Sequence, residues 1–121
     1  DDFQLIHSGR ETRERWWRFL ETVPHFEIVS WAHNRLRPWR NSESGDVRVW
    51  YLQTASAYVV RRSAMNRLRD IYLQALTERR PFDKVMTRIR EDVQWYAMKP
   101  ALSKQRPCFS DILGHRVDYG C

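Results

Sequence analysis

Lysine is nearly missing from this chain, with three residues against eighteen arginines. Either cation would keep a protein soluble, so solubility alone does not explain the choice of arginine in a chain of net charge +6. Arginine differs because its planar guanidinium forks onto phosphate or carboxylate and stacks on aromatic or base faces. Genomic base composition also enriches arginine codons. The alternative is a fixed anionic or densely packed partner, and six tryptophans set among the arginines favour it. Cysteine is scarce too. Cys108 and Cys121 both lie near the C-terminus, which excludes a disulfide scaffold and points to a reducing interior. The longest uncharged apolar-leaning run, Val49–Val60 between Arg48 and Arg61, is too short to span a bilayer. Paired carboxylates, a glycine-rich phosphate loop and a nucleophile elbow are all lacking, so no enzyme is expected. No internal repeat or low-complexity tract appears. The start at Asp1-Asp2, without methionine and without a basic leader, reads as a processed product or a fragment.

What is present suffices for a folded domain. Apolar residues make up 42% and aromatic residues 13% of 121 residues, which argues against wholesale disorder. Ser8 and Glu11 stand in capping-box spacing ahead of an apolar stripe at Trp16, Trp17, Phe19, Leu20 and Val23. That predicts a helix ended by Pro24. One of the adjacent Trp16 and Trp17 must face the core and the other must not. A second helical segment is expected from His25 to Arg37, stopped by Pro38, and Asn41–Asp46 reads as a loop.

Val47 to Leu52 alternates well enough for a short strand. Against that, Tyr51, Ala55, Tyr58, Arg62, Met65, Leu68, Tyr72 and Ala75 step by three or four, with no Gly or Pro from 46 to 80. The expectation is one long helix over about 47–79, with 47–52 open to either reading. Pro81 then suits the first turn of a last helix, carrying Phe82, Val85, Met86, Ile89, Val93 and Tyr96 up to about Ala97. The fold class is therefore all-α, with three to four helices over 1–98. From 99 to 121 an irregular basic tail is expected, with one possible turn at Phe109–Leu113 capped by Gly114. Prolines and scattered charge give that tail little to bury at home.

Metal chemistry finds little support. His25 and His33 lie eight apart rather than four. Cys108, His115 and Cys121, with His7 as a fourth ligand brought by folding, match no common zinc spacing, so no metal or cofactor is expected. The basic clusters Arg35-Arg37-Arg40, Arg61-Arg62-Arg67-Arg69, Arg79-Arg80 and Lys99-Lys104-Arg106 would neutralise phosphates with a salt-dependent affinity. Trp39, flanked by Arg37 and Arg40, sits on the surface by local logic, either as a contact anchor or as a lid over helix ends.

Arg80-Pro81-Phe82-Asp83, and Tyr96-Ala97-Met98-Lys99-Pro100 followed by Lys104 and Arg106, resemble the bacterial-type twenty-first small-subunit ribosomal protein family. The resemblance covers residues 80–106, with a shorter distance between the two pieces and without that family's run of three arginines. Met65 to Leu76 (MNRLRDIYLQAL) is similar to the opening helix of LYR-type mitochondrial accessory subunits, with Asp70-Ile71-Tyr72 in place of the tripeptide. Both resemblances imply a small, basic subunit of a large organellar assembly. The expectation is a non-enzymatic structural RNA-binding protein of a mitochondrial ribosome, in the matrix, contacting ribosomal RNA and neighbouring ribosomal proteins. Arg61, Arg62, Arg69, Arg79, Arg80, Lys99, Lys104 and Arg106 are the expected RNA contacts. The competing expectations are an accessory subunit of a mitochondrial respiratory complex, with Trp39, Trp50 and Trp95 as interface anchors, and a helical effector that binds a host protein.

Overall fold

β-Branched and aromatic side chains favour a pleated, half-buried surface. Over residues 28–30, 47–53 and 58–60, where they follow one another, the backbone is extended. The computed structural model describes residues 3–41, 45–53, 56–110 and 114–118, with backbone only at 40, 41 and 108–110. Its elements run β1 (Phe3–Leu5), α1 (Gly9–Thr22), β2 (Ile28–Ser30), β3 (Asn34–Asn41), β4 (Val47–Gln53) and β5 (Tyr58–Val60). A 3-10 turn at Arg62–Ala64 leads into α2 (Met65–Glu78), α3 (Phe82–Met86) and a second 3-10 turn at Thr87–Ile89. Then follow β6 (Trp95–Ala97), β7 (Ser103–Gln105), β8 (Cys108–Ser110) and β9 (His115–Val117). The all-α expectation is thus corrected to a mixed α/β fold.

Five strands form one sheet in the order β3-β4-β6-β2-β5. β2 and β6 are parallel, and the other neighbours are antiparallel. Alternation along the strands separates two cores. Ile28, Trp95 and Ala97 point to the face covered by Ile71 and Ala75 of α2 and by Val85 and Met86 of α3. Val29, Val59 and Tyr96 point to the opposite face, against Phe19 and Val23 of α1, with Phe26, Met98 and Leu102. The sheet is therefore sandwiched between α1 and the α2–α3 pair. Both faces of β2 are buried, which explains Ile-Val in a central strand. Trp95, 1% exposed, also donates its indole N–H to Ser30 Oγ at 3.0 Å.

The helix expected over 47–79 begins only at Met65. The stretch before it holds β4, β5 and the first 3-10 turn, so the alternation of Val47–Leu52 prevails over the three-four stepping. Val47 and Val49 are buried side by side on one face, which a helix would have turned about 200° apart. The helix expected from His25 is replaced by β2 and β3. The last helix stops after Met86, although Val85, Met86, Ile89 and Val93 are all buried as their spacing required. The start of α1 agrees with expectation in one half of its capping box: Glu11 N donates to Ser8 Oγ at 3.2 Å. The Glu11 carboxylate turns instead to His7 Nδ1 at 3.0 Å. Of the paired tryptophans, Trp16 packs on Phe19, Phe26 and Trp31, and Trp17 is 59% exposed.

The irregular tail is a further correction. Leu102 and Ser103 are fully buried, β7 pairs antiparallel with β1, and Trp31 O accepts from the N–H groups of both Leu102 and Ser103. Leu102 supplies the apolar anchor that the sequence reading left unused.

Candidate nucleic-acid interface

Strand β3 forms one edge of the sheet, and its pairing with β4 is broken by bulges. Pro38 sits between two of these shifts, where an edge strand can spare an N–H. Pairing passes from Arg37↔Tyr51 to Pro38↔Val49, leaving Trp50 as an extra residue on β4. It then passes to Arg40↔Arg48, leaving Trp39 as an extra residue on β3. A bulge re-aims the side chain it carries. Here each strand of the hairpin re-aims one tryptophan, and the two rings meet edge to face, centroids 5.2 Å apart. The bulge at Trp50 also shifts the alternation, so that Val49 and Leu52, three apart, share the same core.

Guanidinium groups cover these rings. Arg48 Cζ lies 4.7 Å from the centroid of Trp39, and Arg90 Cζ lies 4.2 Å from that of Trp50. Arg37 stands more loosely over its cross-strand neighbour Tyr51, at 5.9 Å. Arg90 arrives from the turn after α3, where its Nη1 donates to Thr87 O at 3.0 Å. The Nε atoms of Arg48 and Arg90 are shut from solvent and hydrogen-bonded to nothing among the described residues. Stacking holds the plane of Arg48, and stacking together with the bond to Thr87 O holds that of Arg90.

Elsewhere on the hairpin Arg35, Leu36, Arg37 and Tyr51 line an open hollow of about 660 Å³, a size that admits a small planar ligand. Arg35 holds φ at +46°, a left-handed conformation that costs a non-glycine residue about 1–2 kcal/mol. Strain of this kind gathers at binding sites. Among the described residues no carboxylate pairs with Arg35, Arg37 or Arg48, and Arg90 has Glu91 only at 3.7 Å. The hairpin edge therefore presents cations interleaved with aromatic rings, with little internal acid to neutralise them.

The expected contact residues are not brought together. Arg61 and Arg62 lie after β5, at the opposite edge of the sheet from β3, and Arg61 stacks on Phe26 at 4.4 Å. Arg69 is on α2, bonded to Asp70 at 3.0 Å. Arg79 and Arg80 end that helix, the latter 3.7 Å from Glu78. Glu78 itself is held below the usual carboxylate range, chiefly by its hydrogen bond from Arg88. Lys99 is exposed, its backbone N–H donating to the buried Asp46 at 2.8 Å. Lys104, on β7, and Arg106 beyond it are also exposed. Of the three tryptophans, Trp39 and Trp50 are 40% and 38% exposed and lie together. Trp95 is core and cannot anchor a partner.

The residues weighed as zinc ligands are only partly described. His7 is engaged by Glu11 and Arg15, and Cys121 lies outside the described residues. Cys108 pairs with Val117 and His115 with Ser110, at opposite ends of the β8–β9 hairpin. Among the described residues no group of three His, Cys, Asp or Glu could hold a metal ion. No helix among them is long and apolar enough to cross a membrane. No protein-family model, no curated protein and no solved structure matches the chain.

Sequence reading had isolated Trp39 between arginines and the Arg35-Arg37-Arg40 cluster. It missed Arg48, Tyr51 and Arg90 as parts of the same surface. The strand alternation at 47–52 was the available signal for Arg48 and Tyr51. Arg90 joins only through tertiary packing of the turn after α3, which leaves no local mark.

Proposed function

We propose that this chain is a non-enzymatic RNA-binding subunit of a ribonucleoprotein, with the bulged β3–β4 hairpin as its RNA-contacting surface. The observation that carries this reading is the alternation of arginine and aromatic rings at Trp39, Arg48, Trp50, Arg90, Arg37 and Tyr51. Unpaired bases stack on aromatic and guanidinium planes, and phosphates take the outward N–H edges. Arginines whose planes are already fixed by stacking lose less freedom on forming those bonds. The hollow at Arg35, Leu36, Arg37 and Tyr51 suits one splayed base with its phosphate. A single strand is the expected form, because side chains cannot read the deep, narrow major groove of an RNA duplex.

The mitochondrial ribosome is the assembly we propose. Its support is the near-exclusive use of arginine and the resemblance of residues 80–106. Only the Pro81-Phe82-Asp83 helix start of that resemblance corresponds to a helix, the short α3.

Fluorescence anisotropy of a labelled, unstructured RNA tests the binding. Saturable binding is expected, weakened about tenfold by Trp39→Ala, because a base–aromatic stack contributes roughly 1–3 kcal/mol. A chain that leaves this RNA unbound, or binds it equally well without Trp39, would contradict the proposal and favour the accessory-subunit reading.

A further inference from the structure

The second surface concerns α2. On a helix each residue turns about 100° from the last, which sends Ile71 and Ala75 into the core beneath the sheet. An apolar stripe of about 100° would suffice for that. Here the apolar arc continues around the helix through Tyr72, Met65, Leu76 and Leu73, roughly doubling its width. These four side chains are 49%, 55%, 71% and 56% exposed. Tyr72, Leu73 and Leu76 adjoin one another, and Met65 lies about 10 Å nearer the helix start, with the exposed Arg69 between them. Tyr72 also stacks on Phe82, rings 4.0 Å apart, so the stripe runs onto the start of α3. Contiguous exposed apolar surface of this kind marks an interaction site.

Charge at the two ends of the stripe identifies its occupant. Arg62 precedes Met65, and Arg79 follows Leu76, and neither pairs with a carboxylate among the described residues. The acids of this helix are engaged elsewhere. Asp70 bonds Arg69, and Glu78 takes both guanidinium nitrogens of Arg88. A second copy of the chain is disfavoured: a two-fold, antiparallel pairing of α2 would set Arg62 of one copy against Arg79 of the other. RNA is disfavoured as well, since Leu73 and Leu76 offer phosphates and base edges no hydrogen bond. We infer that the outer face of α2 docks an amphipathic helix of a protein partner, one whose apolar face is flanked by Asp or Glu. This is helix-on-helix recognition, in which apolar anchors at spacings of three and four give affinity. The terminal arginines favour acidic flanks and exclude basic partners.

The test uses the full chain and two labelled synthetic helical peptides. Both carry leucines at i, i+4, i+7 and i+11; one is flanked by glutamates, the other by lysines. In anisotropy titrations the glutamate peptide binds saturably and the lysine peptide does not. Leu73→Glu with Leu76→Glu abolishes binding, and Leu76→Gln, a milder change at a highly exposed site, weakens it at least fivefold. Arg62→Glu with Arg79→Glu inverts the preference between the two peptides. Equal binding of both peptides, or of neither, overturns the inference. So does self-association in sedimentation that Leu76→Gln abolishes, which would make the stripe an interface between copies. RNA affinity measured on the Leu76→Gln variant separates the two surfaces. It stays unchanged if α2 serves a protein, and its loss would assign the stripe to RNA.

Discussion

Trp39 and Trp50 meet edge to face at 85°, each delivered to the contact by a bulge in its own strand of the β3–β4 hairpin. Edge-to-face aromatic pairs contribute about 0.5–1.5 kcal/mol beyond their buried area. A double-mutant cycle of Trp39→Ala and Trp50→Ala, read by urea unfolding, is therefore expected to give a coupling near 1 kcal/mol. Additive losses would mean that the rings do not support one another.

Arg79 ends α2 in the left-handed conformation, φ +52°, and completes a Schellman cap, with Arg80 N donating to Ala75 O and Arg79 N to Leu76 O. Glycine normally occupies this position. Arg79→Gly is expected to stabilise the chain by about 0.5–1 kcal/mol, seen as a higher urea midpoint with an unchanged slope. An arginine retained where glycine is more stable is consistent with a binding role, so the same variant should weaken the glutamate peptide. A lower midpoint would show that the left-handed turn is not strained.

Ser30→Ala removes the acceptor of the Trp95 indole N–H inside the core. An unpaired buried donor costs about 1–3 kcal/mol. Thermal or urea unfolding should show that loss, and Trp95→Phe in the Ser30→Ala background should recover part of it. A neutral Ser30→Ala would place Trp95 elsewhere.

Stability should depend on pH at both extremes. Burial pushes the Tyr58 phenol up, with nearby Tyr72 adding a smaller push. A folded-state value above the unfolded one leaves stability intact below the ordinary tyrosine range, near pH 10. It is then lost as pH rises through the folded value. Tyr58→Phe should abolish that alkaline decline. Glu78 behaves in the opposite sense. Its lowered value means stability that is present above the ordinary carboxylate range and lost as pH falls through the folded value. Unfolding free energies of Tyr58→Phe and Glu78→Gln across pH check both signs.

Residues 102–105 should resist limited proteolysis as well as the helices do, because Leu102 and Ser103 are fully buried and β7 is paired with β1. Early cleavage there would restore the loose tail expected from sequence.

These elements show what the sequence made legible. Burial was legible in α1 and after Pro81, where Phe19, Val85, Met86, Ile89 and Val93 all lie in the core, and not at Trp95 or Leu102. Element type was legible only where a cap or a single period acted alone, as at Ser8 for α1. Between 25 and 60 it was not. The three-four stepping through Tyr51, Ala55 and Tyr58 competed with an alternation of β-branched and aromatic residues, and sheet partners distant in sequence, Arg37 for Tyr51, Ser30 for Tyr58 and Ala97 for Val47, decided between them. Ile28 and Trp95, which pair in parallel, could not be recognised as neighbours from local spacing. The hairpin site followed the same rule. Trp39 stood out by its flanking arginines, but its contact with Trp50 depends on two compensating register shifts, and Arg90 comes from a different layer. The α2 stripe was visible only in part: Met65 and Tyr72 fall in the three-four stepping, Leu73 and Leu76 do not, and exposure has no local signature.

The most direct test of the RNA proposal is the salt dependence of RNA affinity in two triple variants. Each phosphate contact on a single strand contributes about 0.7 to the slope of log affinity against log salt. Arg35→Gln, Arg37→Gln and Arg48→Gln together should lower that slope by about 2 and weaken binding, whatever the RNA sequence. Arg61→Gln, Arg62→Gln and Arg69→Gln together should leave slope and affinity unchanged. The reverse pattern, a slope lost with the second set and kept with the first, would contradict the assignment of RNA to the β3–β4 hairpin.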